Sequence, residues 1–308
     1  MEGPTRTRFA PSPTGDLHLG GAWTALASWV VARRAGGVSL LRIEDLDPPR
    51  VVRGARARIE EDLQWLGLDW DEPPVLQSDR SPAYEKALAK LESAGLVYPC
   101  DCSRAELARA ASAPHEGEEA VYPGLCRDRD PARAMKRPPA LRVRAPDEVV
   151  AYEDGVVGRV AQNVAHEVGD FVVRRGDGVF AYQLAVVVDD AESGVSDVVR
   201  GADLVASTPR QVWLARVLGY EPRRYAHVPL VLAEDGARLE KRARGASLRE
   251  LREKGVSAER VIGELAFGLG LSETNAPAST GAIAAAPGAR AIAWRKEPWR
   301  IPASLVPW

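Results

Sequence analysis

Arg8-Phe-Ala-Pro-Ser-Pro-Thr-Gly-Asp-Leu-His18-Leu-Gly20-Gly21 is the stretch on which the reading of this chain turns. Thr5 to Ala10 has strand character, the Pro/Gly-rich turn breaks it, and an apolar helix is expected from about Gly20 to Arg34. Glycines at a helix start let a ligand approach the backbone, and the open N–H groups there attract phosphate. His18 would add a donor toward a triphosphate.

Working outward, Val38 to Ile43 reads as a second buried strand between Gly36-Gly37 and Pro48-Pro49. Ala55 to Leu66 is an amphipathic helix with Ile59, Leu63 and Leu66 on one face. Pro74 to Gln77 gives a third strand and Pro82 to Ala94 a further helix. This rhythm predicts an α/β fold with a parallel sheet. The pattern changes at Tyr98. Cys100 to Pro139 is rich in Pro, Arg and Ala, holds one short helical run around Ser103 to Ala111, and reads as an insertion. The α/β signal resumes at Asp170-Phe-Val-Val-Arg-Arg, passes a Gly-Asp-Gly turn and enters the apolar run Phe180 to Val188. Thr208-Pro-Arg-Gln211 reads as a helix start: Thr caps, Pro takes the first position and Gln completes a capping box. Ser247 to Lys254 and Ala258 to Leu269 are helical. Beyond Leu271 the chain is Ala/Gly/Pro-rich up to a Trp-containing tail, Ala293 to Trp308.

The 308 residues are 45% hydrophobic and 27% charged, an ordinary globular balance with enough apolar residues for a sizeable core. No run of 18 or more apolar residues and no signal-peptide pattern is present, so a cytoplasmic protein without a membrane span is expected. A net charge of -2 excludes a generally basic nucleic-acid coat but allows a local basic surface to meet RNA. Arg127 to Arg137 and Arg238 to Arg252 are such surfaces, or simply solvated faces. Trp294, Trp299 and Trp308 could stack on bases, or pack the tail back onto the domain. Three cysteines do not make a disulfide framework. Cys100-x-Cys102 followed by Tyr122-x-x-x-Cys126 offers three soft ligands where structural zinc takes four; on chemistry alone His115 is the fourth.

The Arg8 to Gly21 run resembles the HIGH-type signature of class I aminoacyl-tRNA synthetases, in the form of the glutamyl and glutaminyl branch. Arg42-Ile-Glu44-Asp-Leu-Asp47-Pro-Pro-Arg50 is similar to that branch's second motif. Phe180-Ala-Tyr182 through Asp190 and Val199-Arg200-Gly-Ala-Asp203-Leu follow in the branch's order. Arg238-Leu-Glu-Lys241-Arg242 stands where the family has its KMSKS-type ATP loop. That loop departs from the pattern: Lys is usual where Arg238 stands and Ser where Glu240 stands, and a carboxylate beside phosphates is unfavourable unless it turns away. The resemblance covers roughly the first four-fifths of the chain.

It implies a Rossmann-type class I aminoacyl-tRNA synthetase catalytic domain (1–97 and 141–235). A zinc-containing acceptor-binding insertion (98–140) would interrupt it, and a loop, short helical region and tail (236–308) would follow, with no room for an anticodon-binding domain. It also implies roles. Arg8, Phe9, Ala10, Pro11, Ser12, Glu44, Tyr182 and Arg200 would bind glutamate; Arg8 and Tyr182 would meet its side-chain carboxylate, Arg200 the α-carboxylate, and Glu44 with Ser12 the ammonium. Two cations and one anion match two carboxylates and one ammonium. His18, Gly20 and Lys241 would hold ATP with its Mg²⁺, His18 and Lys241 acting in catalysis. The short glutamyl-Q subgroup has a similar Cys-x-Cys, Tyr-x-x-x-Cys site, which selects Tyr122 beside Cys100, Cys102 and Cys126 as ligands of one structural zinc. The chain is therefore expected to be a monomeric ligase that activates L-glutamate with ATP, without tRNA. It would transfer the glutamate to queuosine of tRNA(Asp). The alternatives are a truncated glutamyl-tRNA synthetase charging the 3′ end of tRNA and a non-catalytic tRNA-binding paralogue.

Overall fold

The computed structural model describes residues 3–110, 121–130, 132–233, 236, 247–286, 292–302 and 305. The first half winds as expected: β1 (Arg6–Phe9), α1 (Leu19–Arg34), β2 (Val38–Ile43), α2 (Ala55–Leu66), β3 (Val75–Leu76) and α3 (Ser81–Ser93). β1, β2 and β3 are parallel neighbours in that order. The third strand is shorter than expected because Gln77–Arg80 turns into a 3₁₀ helix that leads straight into α3.

Next come β4 (Val97–Cys100), α4 (Arg104–Ala110), β5 (Ala140–Val143), β6 (Val149–Asp154), β7 (Gly158–Asn163), α5 (Val164–Glu167) and β8 (Phe171–Arg174). β4, β5 and β8 form an antiparallel sheet. Its first pair closes the neck of the insertion, with Cys100 opposite Ala140. The chain then forms α6 (Tyr182–Glu192), β9 (Asp197–Gly201), α7 (Thr208–Val217), β10 (Arg224–Val228) and β11 (Val231–Leu232). The remaining elements are α8 (Leu248–Glu253), α9 (Ala258–Leu269), α10 (Thr280–Ala285) and β12 (Trp299–Arg300).

β9, β10 and β6 are parallel, with β7 hairpinned antiparallel on the outer edge. The Ser196 N–H donates to the Arg6 carbonyl (3.0 Å) where β9 starts beside β1. The two parallel sheets thus meet at β1 and β9, giving the order β3-β2-β1-β9-β10-β6-β7, and the strand order reverses between β1 and β9. In open α/β sheets that reversal is where ligands bind, outside the carboxyl ends of the strands.

α1 is buried almost all round and gathers one core: Trp23, Leu26 and Val30 meet Ile59, Leu63 and Leu66 of α2 and Val261, Ile262, Leu265 and Leu269 of α9. The expected apolar face of α2 is the buried one. A second core joins Tyr84, Leu88 and Leu91 of α3 to Leu184 and Val188 of α6 and to Trp213 and Leu214 of α7. The tail returns to the first core. Trp299 stacks on Trp23 with ring centroids 5.6 Å apart, and β12 lies parallel to β11. Trp294 also packs there, so neither of these tryptophans is a free stacking platform, and Trp308 lies outside the described residues.

The expected capping box at the start of α7 is replaced by other contacts. Ser207 holds the cap position without a side-chain bond to the helix N–H groups, its hydroxyl accepting from Gln183 instead, and Thr208 and Gln211 are buried with their polar ends turned to Arg200. A buried guanidinium outbids a helix N–H for such acceptors, since hydrogen bonds to charged groups are the stronger ones.

Gly268 shows how tightly the tail is seated: a Cβ there would lie 2.5 Å from Trp299 Cδ2 and 2.7 Å from Trp23 Cζ3. Gly268→Ala should therefore lower stability by about 1–3 kcal/mol. Gly281→Ala, where the nearest atom would be 3.9 Å away, should raise it by up to ~1 kcal/mol through helix propensity. Denaturant titration of the two variants checks this; equal midpoints would contradict it.

Candidate active site and metal centre

Side chains alternate along a strand. Phe9, Leu41, Ile43, Val199 and Val228 face the α1 core. Their neighbours Arg8, Arg42, Arg200 and His227 therefore project from the opposite face of the sheet, toward α6 and α7. All four are buried. Charged groups so placed need partners, and α6 supplies two carboxylates.

Asp190 Oδ1 accepts from Arg8 Nε (3.0 Å) and from Arg42 Nη1 (2.5 Å). Arg8 also donates to the Val199 carbonyl (3.3 Å), and Arg42 Nη2 donates to Glu44 (3.1 Å). Asp189 accepts from Gln77 (2.8 Å), Tyr84 (2.7 Å) and Arg80 (3.2 Å). Burial alone would raise the Asp190 carboxyl, but Arg8 and Arg42 hold it at about 2. For Glu44 burial wins over the pull of Arg42, leaving the carboxyl above its ordinary value. Burial also raises the Tyr182 phenol, which senses Arg200, Glu44 and Arg8.

Arg200 sits on β9 across the reversal from Arg8. It donates through Nε to His227 (3.1 Å), through Nη2 to Thr208 (2.8 Å) and Gln211 (2.7 Å), and through Nη1 to Tyr182 OH (3.4 Å). Arg8, Glu44, Tyr182 and Arg200, far apart in sequence, are thus brought into one electrostatic group. Ala10, Pro11 and Ser12 form the turn after β1: the Pro11 carbonyl accepts the Glu44 N–H (2.9 Å), which ties the turn to β2, and Ser12 is exposed. Phe9 packs on the α1 core and holds the turn from beneath.

The start of α1 opens at the same place. His18 is its N-cap, Nδ1 accepting from the Gly21 N–H (3.2 Å). A Cβ on Gly20 would stand 3.0 Å from the imidazole, so a glycine leaves the ring its position over the helix start. His18 also bridges Ser247, and the Leu248 N–H donates to the Leu17 carbonyl (2.9 Å). The described segment that resumes at Ser247 is thereby fastened to the HIGH-type run. Arg238, Glu240 and Lys241 themselves lie outside the described residues.

At the neck of the insertion the sulfur atoms of Cys100, Cys102 and Cys126 lie within 4.8 Å of one another, and none is in a disulfide. Tyr122 OH lies 3.4 Å from Cys100 Sγ, and Cys102 and Cys126 Sγ are 3.5 Å apart. A tetrahedral metal with bonds of about 2.3 Å to sulfur spaces its ligand atoms by about 3.8 Å, so three thiols and a phenol oxygen fit a metal ion. The phenol is fixed: its oxygen accepts the Cys126 N–H (3.0 Å), and Arg142 stacks 3.8 Å over its ring. Gly169, at φ 75°, gives the Tyr122 backbone room to pass. His115 lies outside the described residues. Three cations of the basic run nearby are spent on carboxylates: Arg127 on Asp170 (2.6 Å), Arg133 on Asp101 (2.5 Å) and Lys136 on Glu106 (2.8 Å).

The catalytic-domain model of class I tRNA synthetases (E and Q) matches residues 4–277. A relative from Geobacter sulfurreducens named glutamyl-Q tRNA(Asp) synthetase is 48% identical over 99% of this chain and 96% of its own. Another of that name, from Nocardia farcinica, is 51% identical over 86% and 84%. The chain belongs to this family. Among solved structures, a glutamate tRNA ligase from Elizabethkingia meningosepticum, crystallised in complex with its amino acid, superposes with a TM-score of 0.83 at 25% identity. That likeness covers 98% of this chain and 68% of that one. Family membership accounts for the sheet order, the HIGH-type run and the short helical C-terminal part, and so bears out the expected fold class. No helix among the described residues is long and apolar enough to cross a membrane.

Several site residues carried no role in the sequence. Arg42 and Asp190 lie inside the family-like motifs, and a buried cation on β2 demands counter-charge, which Glu44 and α6 supply. Asp154 and His227 belong to no motif that was recognised, and no signal short of the fold pairs them.

The buried Asp190 sets a prediction. Its folded value lies below the ordinary 3.8, so its stabilising contribution is complete above 3.8 and disappears as the pH falls through about 2. Asp190→Asn, which removes the charge that the buried Arg8 and Arg42 share, should cost about 3–5 kcal/mol at neutral pH. It should also flatten the acid limb of the stability curve; urea midpoints at several pH values test both, and an unchanged neutral midpoint would refute the counter-ion role.

Proposed function

We propose that this protein activates L-glutamate with ATP and transfers it to the queuosine base of tRNA(Asp). The observation that carries the reading is the convergence, at the strand reversal and beside the start of α1, of two guanidinium groups, one carboxylate and one phenol. A molecule with two carboxylates and one ammonium complements that set. In this reading Arg8 and Tyr182 receive the side-chain carboxylate, Arg200 the α-carboxylate, and Glu44 with Ser12 the ammonium. Asp190 keeps Arg8 extended toward the substrate rather than folded back on Glu44.

The α-carboxylate oxygen attacks the α-phosphorus of ATP, the bond from that phosphorus to the bridging oxygen breaks, and pyrophosphate leaves. The α1 N-terminus, His18 and the Gly20 backbone hold the phosphates, and Lys241 neutralises charge on the departing group. The Mg²⁺ that accompanies ATP adds charge neutralisation. A cyclopentenediol hydroxyl of queuosine then attacks the glutamyl carbonyl carbon, releases AMP and gives up its proton. No side-chain nucleophile is needed, and positioning carries the rate.

Zinc at Cys100, Cys102, Tyr122 and Cys126 would staple the insertion, which lacks a large core of its own. The acceptor would dock on that insertion, with residues 98–140 as a unit and 1–97 and 141–235 as the catalytic body. A monomeric cytoplasmic protein fits this role. The named relatives favour it over a truncated glutamyl-tRNA synthetase or a non-catalytic paralogue: the likeness runs over 96% of the Geobacter protein but 68% of the glutamate tRNA ligase.

Two measurements test the reading. Pyrophosphate exchange should depend on glutamate, proceed without tRNA and fail with aspartate or glutamine. Labelled glutamate should then appear on tRNA(Asp) containing queuosine and not on tRNA(Asp) lacking it. Exchange that starts only when tRNA is added would favour the charging enzyme; none under either condition would end the reading. For the metal, one zinc per chain is expected by elemental analysis. Cys126→Ser should lose it and Tyr122→Phe should yield it to a chelator faster than the wild type. Equal retention by Tyr122→Phe would move the fourth position to another group such as His115.

A further inference from the structure

Behind Arg200 lies a second layer of polar groups that the glutamate reading does not use. His227 stands opposite Arg200 in the pairing of β10 with β9. Its Nδ1 lies 2.6 Å from Asp154 Oδ2, and both side chains are wholly sealed from water. Asp154, at the end of β6, also accepts the N–H groups of Val156 (2.9 Å), Val157 (3.1 Å) and His227 (3.2 Å). A carboxylate held by that many donors keeps its charge. It therefore takes a proton from nothing, and its partner nitrogen must be the one that carries hydrogen. With Nδ1 protonated, Nε2 of a neutral ring is an acceptor; the Arg200 Nε–H donates to it (3.1 Å), and the Thr208 hydroxyl lies at the same distance (3.1 Å).

The consequence falls on Arg200. Its Nε edge is fixed by His227 and its Nη2 by Thr208 and Gln211, so the Nη1 end beside Tyr182 is the part left pointing into the site. Were the ring protonated, or the tautomer reversed, an N–H would face an N–H and the clamp on Nε would open. The rings of Tyr225 (6.1 Å) and Tyr152 (6.3 Å) flank His227, which is fully buried.

We propose that Asp154 and His227 form a positioning pair that sets the tautomer of His227 and thereby aims Arg200 at a carboxylate of the amino-acid substrate. The inference rests on the glutamate reading above and adds to it a requirement for one neutral imidazole. The charged and titratable groups around that imidazole are Asp154 and Tyr152 from β6, Arg200 from β9, Tyr225 from β10 and Arg8 from β1. Burial is the largest influence and lowers His227 below its ordinary 6.5, while Asp154 opposes and Arg200 and Arg8 assist. The clamp thus stays neutral through pH 6.5 and is lost only at a more acid pH, as the ring protonates through its lowered value, which links glutamate binding to acidity.

The test is glutamate-dependent ATP–pyrophosphate exchange by the full-length protein, with KM for glutamate and for ATP measured separately between pH 5 and 8. His227→Leu keeps the bulk and removes the acceptor. It should raise the KM for glutamate roughly 10–100-fold, the worth of one hydrogen bond to a charged group, and leave the KM for ATP within about twofold. His227→Gln places a non-titrating carbonyl where Nε2 stood. It should bring the KM for glutamate back to within about fivefold of wild type, and the rise of that KM at acid pH should vanish. If His227→Leu does not fold, the pH profile of His227→Gln decides alone. A glutamate KM unchanged in His227→Leu, a parallel rise in the KM for ATP, or an acid rise in His227→Gln equal to that of wild type would overturn the proposal. A wild-type protein without glutamate-dependent exchange would overturn the glutamate reading itself, whereas exchange by a wild type indifferent to His227 would remove only the positioning pair.

Discussion

One carboxylate oxygen, Asp190 Oδ1, holds two buried guanidinium groups, and the rest of the site is arranged around that pairing. Arg8 and Arg42 stand one residue before the ends of β1 and β2, so the contact clamps two neighbouring strands to α6 from above while α1 packs them from below. Removing charges from water is costly, and bringing three together returns the cost only when the geometry is close to ideal. Here it is repaid partly in organisation. Arg8 is locked beside the first core, Arg42 is left with an arm for Glu44, and the polar face of the sheet becomes a rigid plane of charge.

Rigidity of that kind matters because the chemistry ascribed to the site needs no bond to the protein. Where rate comes from placing a carboxylate against a phosphorus atom, supporting residues matter as much as those that touch the substrate. The second row behind Arg200 and the row behind Arg42, made by Asp189, Gln77 and Tyr84, do this from opposite sides.

The sequence was most legible where a local rule was strong. Periodicity placed α2 and its buried face, and one cysteine pair at short spacing with a third cysteine beyond it marked Cys100, Cys102 and Cys126, whose sulfur atoms the fold brings together. It was least legible where a local rule competed with a distant partner. Thr208-Pro-Arg-Gln211 satisfies every requirement of a capping box, yet Thr208 and Gln211 turn to Arg200, whose charge outweighs the helix end. His227 lies on a short strand whose neighbours are apolar, and nothing in the segment announces that Asp154, some seventy positions earlier, will meet it. The short parallel strands β9 and β10 escaped for a related reason, since strands covered on both faces lose the alternation that reveals them.

The neck between β4 and β5 has an evolutionary side. The chain leaves the catalytic body and re-enters it through one antiparallel pair, with Cys100 facing Ala140. Whatever is inserted between those positions starts and ends at nearly the same point in space, and the entropic cost of a longer or shorter excursion grows only slowly with its length. The excursion proposed to meet the RNA can therefore be rewritten, lengthened or pruned while the buried arginines of the sheet keep their register. Under the proposed roles, a scaffold divided in this way would exchange one acceptor for another without relearning its substrate.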